Sequence, residues 1–248
     1  MARTFAAALA VPAVLAGVAA AQTRTPVLVE LFTSEACSSC PPADAVLTRL
    51  EREQPVGGVE VIGLGEHVDY WNETGWRDRF SSPLFTSRQQ DYGQALRLAN
   101  VYTPQMVING RTEVVGSDET AVRKAIRAAA QGPAAMVALR VMGFDNASFQ
   151  VRRLPEGVRT ADILLAITES GVDSVVLGGE NNGHRLHHSD VVRSLHSLGK
   201  LDTKKDGAYT AEARLNLRPD WKRENLKLVL FVQDRTTRRI LGAAAARL

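Results

Sequence analysis

Residues 27–44 read Val-Leu-Val-Glu-Leu-Phe-Thr-Ser-Glu-Ala-Cys-Ser-Ser-Cys-Pro-Pro-Ala-Asp. The first six residues are almost wholly apolar, as in a strand that is buried on both faces of a sheet. Two cysteines in a Cys-x-x-Cys spacing follow, and the two prolines after them suit the first turn of a helix. This segment therefore predicts a buried strand, a dithiol loop and a helix that begins beside the second cysteine.

The chemistry of the chain is concentrated in Cys37 and Cys40, the only cysteines in 248 residues. A bridge across so short a loop contributes only about 2 kcal/mol through loop entropy, so stability alone does not explain the pair. A helix N-terminus favours the thiolate of the first cysteine, and the second thiol can resolve a mixed disulfide. We therefore predict a redox-active disulfide with Cys37 as nucleophile, Cys40 as resolving thiol and no other cofactor. The spacing is also half of a zinc site, but the chain has no second cysteine pair.

Outward from this loop, the apolar pattern of residues 22–132 predicts the order β-α-β-α-β-β-α. Ser82-Pro83 places an N-cap and a first-turn proline at the start of the second helix. Asn109-Gly110 predicts a tight hairpin between the last two strands. Asp118 supplies the cap of the last helix. An α/β domain is the fold class that these features indicate.

The second half, residues 133–248, is predicted to be a β-rich accessory domain. Short strands separated by turn residues favour a sandwich-like arrangement. Residues 189–198 fit either a helix or a strand. The predicted strands are 136–141, 148–153, 162–168, 174–177, 211–217 and 226–233.

The N-terminus, residues 1–21, has the pattern of a cleaved secretory signal. Arg3 is its only charged residue, an Ala-rich apolar stretch follows, and Ala19-Ala20-Ala21 supplies a signal-peptidase site. We expect a periplasmic or secreted protein with no membrane span after cleavage. The alternative is an uncleaved N-terminal anchor, which the short apolar stretch disfavours.

The charge of the chain argues against one class of partner. The formal net charge is +3, and removal of Arg3 with the signal leaves +2. That excess is too small for the electrostatic footprint of a nucleic-acid-binding protein. Partners are therefore expected to be proteins or small thiols, and not nucleic acids.

Two segments resemble the thioredoxin superfamily: residues 31–44, and residues 102–110, which read Tyr-Thr-Pro-Gln-Met-Val-Ile-Asn-Gly. With His67-Val68-Asp69-Tyr70-Trp71 and Gly179-Glu180-Asn181-Asn182-Gly183, the chain is similar more narrowly to an exported bacterial thioredoxin-like family of unknown function. The resemblance covers most of the chain beyond the signal. It implies a thioredoxin-like fold for residues 22–132 and dithiol chemistry, but no substrate.

The resemblance further implies that the Thr103–Pro104 bond is cis and faces the dithiol. A cis X-Pro bond is uncommon and usually serves a purpose. Here Pro104 would complete the catalytic site, and the backbone of Thr103 would bind an extended substrate strand. The alternative is a trans proline that only begins a strand.

A segment near residues 67–82 is longer than in an ordinary thioredoxin and carries Tyr70, Trp71, Trp76 and Phe80. We expect it to lie over the dithiol end of the sheet. One interpretation is a hydrophobic rim that binds unfolded or peptide substrates. The other is a loop that packs over the sheet and covers it. Both remain open from the sequence.

Glu30, on the strand before the dithiol, is a candidate proton acceptor. The resemblance implies a carboxylate beneath the dithiol, from which a proton can be moved. A buried Glu30 would serve as a base for the Cys40 thiol. Alternatively, Glu30 is a core carboxylate with its own partners, or it faces outward.

Two other functions compete with an exported thiol–disulfide oxidoreductase, which we favour. His67 could join Cys37 and Cys40 in a copper(I) site, as in exported copper chaperones of thioredoxin fold, although those use a Cys-x₃-Cys spacing. The chain could also be a non-catalytic envelope interaction protein. The adjacent His187 and His188 would point to opposite sides of a strand and offer little for a metal.

Overall fold

A computed structural model describes residues 24–203 and 207–248. The proposed signal, residues 1–21, lies outside the described residues. In the first half, the elements are β1 (Thr25–Thr33), α1 (Pro41–Glu53), β2 (Val59–His67), α2 (Pro83–Leu96), β3 (Gln105–Ile108), β4 (Thr112–Val115) and α3 (Glu119–Ala129). A short 3₁₀ turn, Asn72–Thr74, lies between β2 and α2.

The second half is built from strands, with one 3₁₀ turn at Arg223–Asn225. The strands are β5 (Met136–Met142), β6 (Asn146–Arg152), β7 (Thr160–Glu169), β8 (Val172–Val175), β9 (Arg185–His188), β10 (Val191–Asp202), β11 (Ala208–Arg214), β12 (Leu226–Asp234) and β13 (Ile240–Arg247). Residues 191–198 of the ambiguous segment 189–198 thus belong to a strand. The strands β9 and β13 were not predicted, and β11 begins and ends earlier than predicted.

One mixed sheet of eight strands runs through both halves, in the order β13-β12-β7-β10-β2-β1-β3-β4. β1 and β2 are parallel, and β3 pairs with β1 antiparallel. The halves join where Val191 of β10 meets Gly65 of β2, and the amide of Gly65 donates to the carbonyl oxygen of Asp190 at 2.7 Å. A Cβ on Gly65 would lie 3.3 Å from that oxygen, so a residue without a side chain suits this junction.

This shared sheet corrects the picture of a second domain with its own sandwich. β7, β10, β12 and β13 extend the sheet of the first half, so residue 132 does not divide one sheet from another. A smaller sheet, β11-β6-β5, does pack on them. Phe149 of β6 and Leu165 of β7 share one apolar core between the two sheets. The second half is therefore two-layered and β-rich, but one of its layers is common to the whole chain.

The alternation of β1 positions the site. Val29 and Leu31 face a core that contains Leu47 of α1 and Ile126 of α3. Glu30 lies between them and therefore faces the other side of the sheet. Helices thus lie on both faces of the sheet around β1. The dithiol loop begins at the C-terminal end of this strand.

The predicted local signals of the first half are confirmed. The hydroxyl of Ser82 accepts from the amide of Leu84 at 3.2 Å, and the carboxylate of Asp118 accepts from the amide of Ala121 at 2.9 Å. In the β3–β4 turn, Asn109 and Gly110 both have positive φ, 47° and 60°. Positive φ at both residues suits the centre of a type I′ turn, and the amide of Arg111 donates to the carbonyl oxygen of Ile108 at 3.0 Å. Within the described residues, no helix is long and apolar enough to cross a membrane.

Candidate active site

The dithiol loop connects β1 to α1, and Cys37 and Cys40 form a disulfide in it. Cys40 is the N-cap residue of α1, and its carbonyl oxygen accepts from the amides of Ala43 and Asp44 at 2.9 and 3.1 Å. The disulfide therefore lies at the positive end of a helix, as predicted. Cys37 is only 1% exposed and Cys40 is fully buried.

The Thr103–Pro104 bond is cis, which confirms that prediction. The Thr103 hydroxyl donates toward Sγ of Cys37 at 3.3 Å. On its other side, the same Thr103 oxygen accepts from the indole Nε1 of Trp71 at 2.8 Å. Oγ of Ser39 lies 3.3 Å from the same sulfur. Cys37 is thus the cysteine that hydroxyl groups contact, and a hydroxyl donor would stabilise its thiolate.

The segment of residues 67–82, with its four aromatic side chains, packs over the dithiol site and does not line an open groove. The indole of Trp76 donates to Oε2 of Glu35 at 2.8 Å, and Trp71 is fixed by Thr103. Phe80 is buried at 8% exposure. Only Tyr70, at 40%, is well exposed among these four aromatic residues. These contacts favour the second interpretation of the segment, a loop packed over the dithiol end.

A buried polar cluster, which we define as Glu35, Asp44, His67, Asp78 and His188, lies beside the disulfide. His67 Nδ1 is 2.6 Å from Oδ2 of Asp78, and the same oxygen accepts from the Glu35 amide at 2.9 Å. His188 lies between two carboxylates, with Nε2 3.6 Å from Glu35 and Nδ1 3.7 Å from Asp44. Those distances are beyond hydrogen-bond reach.

Several polar atoms of this cluster have no hydrogen-bond partner among the described residues. They are Oε1 of Glu35 and both ring nitrogens of His188. Burial raises the pKa of the Asp44 carboxyl above its usual value, because it disfavours the charged form. Asp44 can therefore hold a proton one helical turn after Cys40. The cluster was not predicted from the sequence, although Glu35 and Asp44 lie within the segment that identified the dithiol.

The His67–Asp78 pair is stabilised by its charges. Burial lowers the pKa of His67, but the carboxylates of Asp78, Asp44 and Glu35 together outweigh burial, and the pKa lies above 6.5. Burial likewise raises the pKa of Asp78, but His67 and the amides of Glu35 and Phe80 together outweigh it, and the pKa lies below 3.8. The folded state therefore favours a charged pair.

The shifted pKa values of His67 and Asp78 predict that the free energy of unfolding depends on pH. The Asp78 contribution is present above about pH 4 and the His67 contribution below about pH 6.5, so the pair contributes fully between them. The contribution falls as the pH rises through the raised pKa of His67. We expect Asp78→Asn to cost about 3 kcal/mol of unfolding free energy near pH 6 and clearly less at pH 9, by urea unfolding. Equal costs at both pH values would contradict a charged pair.

Glu30 is fully buried, but its partners are not in the dithiol loop. Its carboxylate accepts from Nε of Arg88 at 2.6 Å and from the hydroxyl of Tyr92 at 2.6 Å. Both partners belong to α2, so Glu30 points to the face of the sheet opposite to the one on which Val29 and Leu31 pack. Of the interpretations left open by the sequence, a core carboxylate with its own partners is the one that fits these contacts.

The copper(I) alternative requires Cys37, Cys40 and His67 to converge. Here the two sulfurs are bonded to each other, and Nδ1 of His67 is taken by Asp78. Among the described residues, no group of three or more His, Cys, Asp or Glu side chains is placed to hold a metal ion. His187 is exposed and His188 is buried, in agreement with their opposite directions on β9. Cys37, Cys40 and His67 therefore do not form a copper(I) ligand set while the disulfide is present.

Comparison with known proteins identifies a family but no activity. The model of the family described as "Protein of unknown function (DUF1223)" matches residues 28–233. The crystal structure of protein AGR_C_4864 from Agrobacterium tumefaciens is similar, with a TM-score of 0.74 and 29% identity, covering 91% of this chain and 95% of that chain. A domain of the outer membrane lipoprotein Omp28 from Porphyromonas gingivalis has a TM-score of only 0.26 and 13% identity, covering 46% of this chain and 93% of that chain. No curated protein matches the chain significantly.

Proposed function

The chain belongs to the family described as protein of unknown function (DUF1223), and we propose that this member is an exported thiol–disulfide oxidoreductase. The observation that carries the proposal is the contact of Cys37 with Thr103. A disulfide at a helix N-terminus lies against the residue before a cis proline, and the Thr103 hydroxyl is 3.3 Å from Sγ of Cys37. A disulfide that only stabilised the fold would need neither neighbour.

The surrounding architecture supports a thioredoxin-like reading of residues 22–132. The elements β1 to α3 follow the order β-α-β-α-β-β-α, apart from the 3₁₀ turn. Their strands take the spatial order β2-β1-β3-β4, with β3 antiparallel to β1. In this arrangement the β1–α1 loop and the loop before β3 lie at the same end of the sheet, where Cys37 meets Thr103.

In the proposed reaction, a substrate thiolate attacks Sγ of Cys37 and the Cys37–Cys40 bond breaks. Cys40 leaves as a thiolate, which takes up a proton, and the substrate is held in a mixed disulfide with Cys37. A second substrate thiolate then attacks the substrate sulfur, and Cys37 leaves as a thiolate. The substrate dithiol has lost two electrons, and the protein disulfide has gained them. The reverse sequence reduces a substrate disulfide.

Two features assign the roles of the cysteines. Thr103 and the N-terminus of α1 stabilise a thiolate at Cys37, which suits it to be both nucleophile and leaving group. The hydroxyl contacts are made with Cys37, which leaves the resolving role to Cys40. We assign proton exchange with Cys40 to Asp44, which follows it by one helical turn and whose pKa is raised by burial. Glu30 is occupied by Arg88 and Tyr92.

The reduction potential of the disulfide tests this function. The purified chain without its signal would be equilibrated in glutathione buffers and alkylated, with Cys37→Ser as the control that cannot form the bond. We expect a reversible two-electron equilibrium between about −120 and −270 mV. The upper end would indicate a disulfide donor and the lower end a reductant. A potential below about −300 mV, typical of structural disulfides, would overturn the proposal.

A further inference from the structure

A loop from the second half lies directly on the dithiol loop. We call residues 178–183, between β8 and β9, the cover. Two of its three glycines allow close approach: a Cβ on Gly178 would lie 2.2 Å from the carbonyl oxygen of Gly75, and one on Gly179 would lie 3.2 Å from Cβ of Trp76. The same Gly179 Cβ would lie 3.5 Å from Cβ of Ala36, the residue before Cys37. Side chains at Gly178 and Gly179 would push the cover away from Gly75 and Trp76, which lie beside the dithiol loop.

The cover is held by two side chains of different exposure. Asn181 is buried, and its Nδ2 donates to the carbonyl oxygens of Glu35 and Cys37, both at 2.9 Å. Glu180 is exposed, and its Oε2 accepts from the amide of Ser38 at 2.9 Å and from the Ser38 hydroxyl at 2.7 Å. The bonds to Glu180 are charge-assisted, but they lie where water can replace them.

This closed arrangement conflicts with the reaction. A thiolate must reach Sγ of Cys37 to break the disulfide. Cys37 is only 1% exposed. Trp71 and Thr103 lie on one side of it, and the cover lies on the other, bound to residues 35–38. The site therefore has to open before a thiol can react. Of the polar bonds that hold the cover, the two made by Glu180 are the exposed ones.

We propose that Glu180 is a positioning residue for the dithiol reaction, because its carboxylate fastens the cover to Ser38 and so sets how often a thiol reaches Cys37. The inference rests on the proposed function and specifies how access to the same site is controlled. Glu180 does not touch the reacting sulfur. It acts through the backbone and hydroxyl of the residue between the two cysteines.

The test is the second-order rate constant for reduction of the oxidised chain by dithiothreitol, followed by alkylation of the freed thiols. We expect Glu180→Ala to react about tenfold faster, since both fastening bonds are lost. Glu180→Gln should react only a few-fold faster, because its amide oxygen accepts the same two bonds without the charge. The control is Glu212→Ala, an exposed glutamate on β11 in the smaller sheet, which should leave the rate unchanged.

Two results would overturn the inference. One is a Glu180→Ala rate equal to that of the unaltered chain, and the other is an equal acceleration in Glu212→Ala. Thermal unfolding of the oxidised variants separates local opening from general loosening, and Glu180→Ala should keep its midpoint. Dithiothreitol needs no biological partner, so the inference and the function fail separately. If Glu180→Ala leaves the rate unchanged while Cys40→Ala traps partners, only the inference is wrong. If Glu180→Ala accelerates reduction while the reduction potential lies below about −300 mV, only the proposed function is wrong.

Discussion

Cys40→Ala is expected to turn a short-lived intermediate into a stable product. Without the resolving thiol, a mixed disulfide between Cys37 and a partner has no internal thiol to break it. Covalent complexes should therefore accumulate in cells and dissociate when a reducing agent is added. Non-reducing electrophoresis of the tagged protein, followed by identification of the captured chains, measures this outcome.

Cys37→Ala is the matched control, because it removes the sulfur that binds the partner and keeps Cys40. We expect no captured chains, and catalysed oxidation of a test dithiol or reduction of a test disulfide should fall by on the order of 10³-fold or more. The hydroxyls of Thr103 and Ser39 contact Sγ of Cys37, so the group that stabilises a thiolate there does not serve Cys40 as a replacement nucleophile. If Cys37→Ala captured partners as efficiently as Cys40→Ala, the assignment of the two roles would be wrong.

The second large effect is expected from Arg88, which is a stability determinant and not part of the dithiol site. Its guanidinium bonds Glu30 at 2.6 Å and Gln233 at 3.0 Å, and it lies 3.4 Å from Glu66. Glu30 and Glu66 are fully buried. Arg88→Met leaves the buried carboxylate of Glu30 and the buried carboxyl group of Glu66 without a cation, and should cost about 3–5 kcal/mol of unfolding free energy at pH 7.

A matched variant at the same cluster distinguishes charge from side-chain contact. Burial, followed by repulsion from Glu30, raises the pKa of Glu66 well above its usual value. When the pKa of a carboxyl group is raised in the folded state, that group lowers the free energy of unfolding as the pH rises. Glu66→Gln should therefore be neutral or stabilising at pH 8. Arg52→Met, at an exposed ion pair with Glu53, should change stability by less than about 1 kcal/mol. A small effect of Arg88→Met by urea unfolding would show that this cluster does not depend on its cation.

The first half of the fold was predictable because its signals are local. The apolar run of β1, the prolines at the start of α1 and the Asn109-Gly110 turn each act over a few residues. The second half was less predictable. Whether residues 189–198 form a helix or a strand is settled by pairing of β10 with β7 and β2, which is a contact between distant parts of the chain.

The candidate site divides in the same way. Cys37, Cys40 and the Thr103–Pro104 bond could be identified from short motifs. The buried cluster could not, because His188 reaches Glu35 and Asp44 only when β9 packs beside α1. Glu30 was a reasonable candidate base from its position on β1. Its true partners, Arg88 and Tyr92, depend on how α2 packs against the sheet.

The sequence by itself determined that this chain carries one dithiol loop between a buried strand and a helix. Apolar runs, prolines and cysteine spacing are sufficient for that, since they act on neighbouring residues. That the Thr103–Pro104 bond is cis and faces the dithiol was implied only by the resemblance to the thioredoxin superfamily. Only the tertiary structure decided that the disulfide is covered. Glu180 and Asn181 bind the dithiol loop across sequence separations of 142 to 146 residues. Contacts at that range depend on one sheet passing through both halves, and no local pattern encodes them.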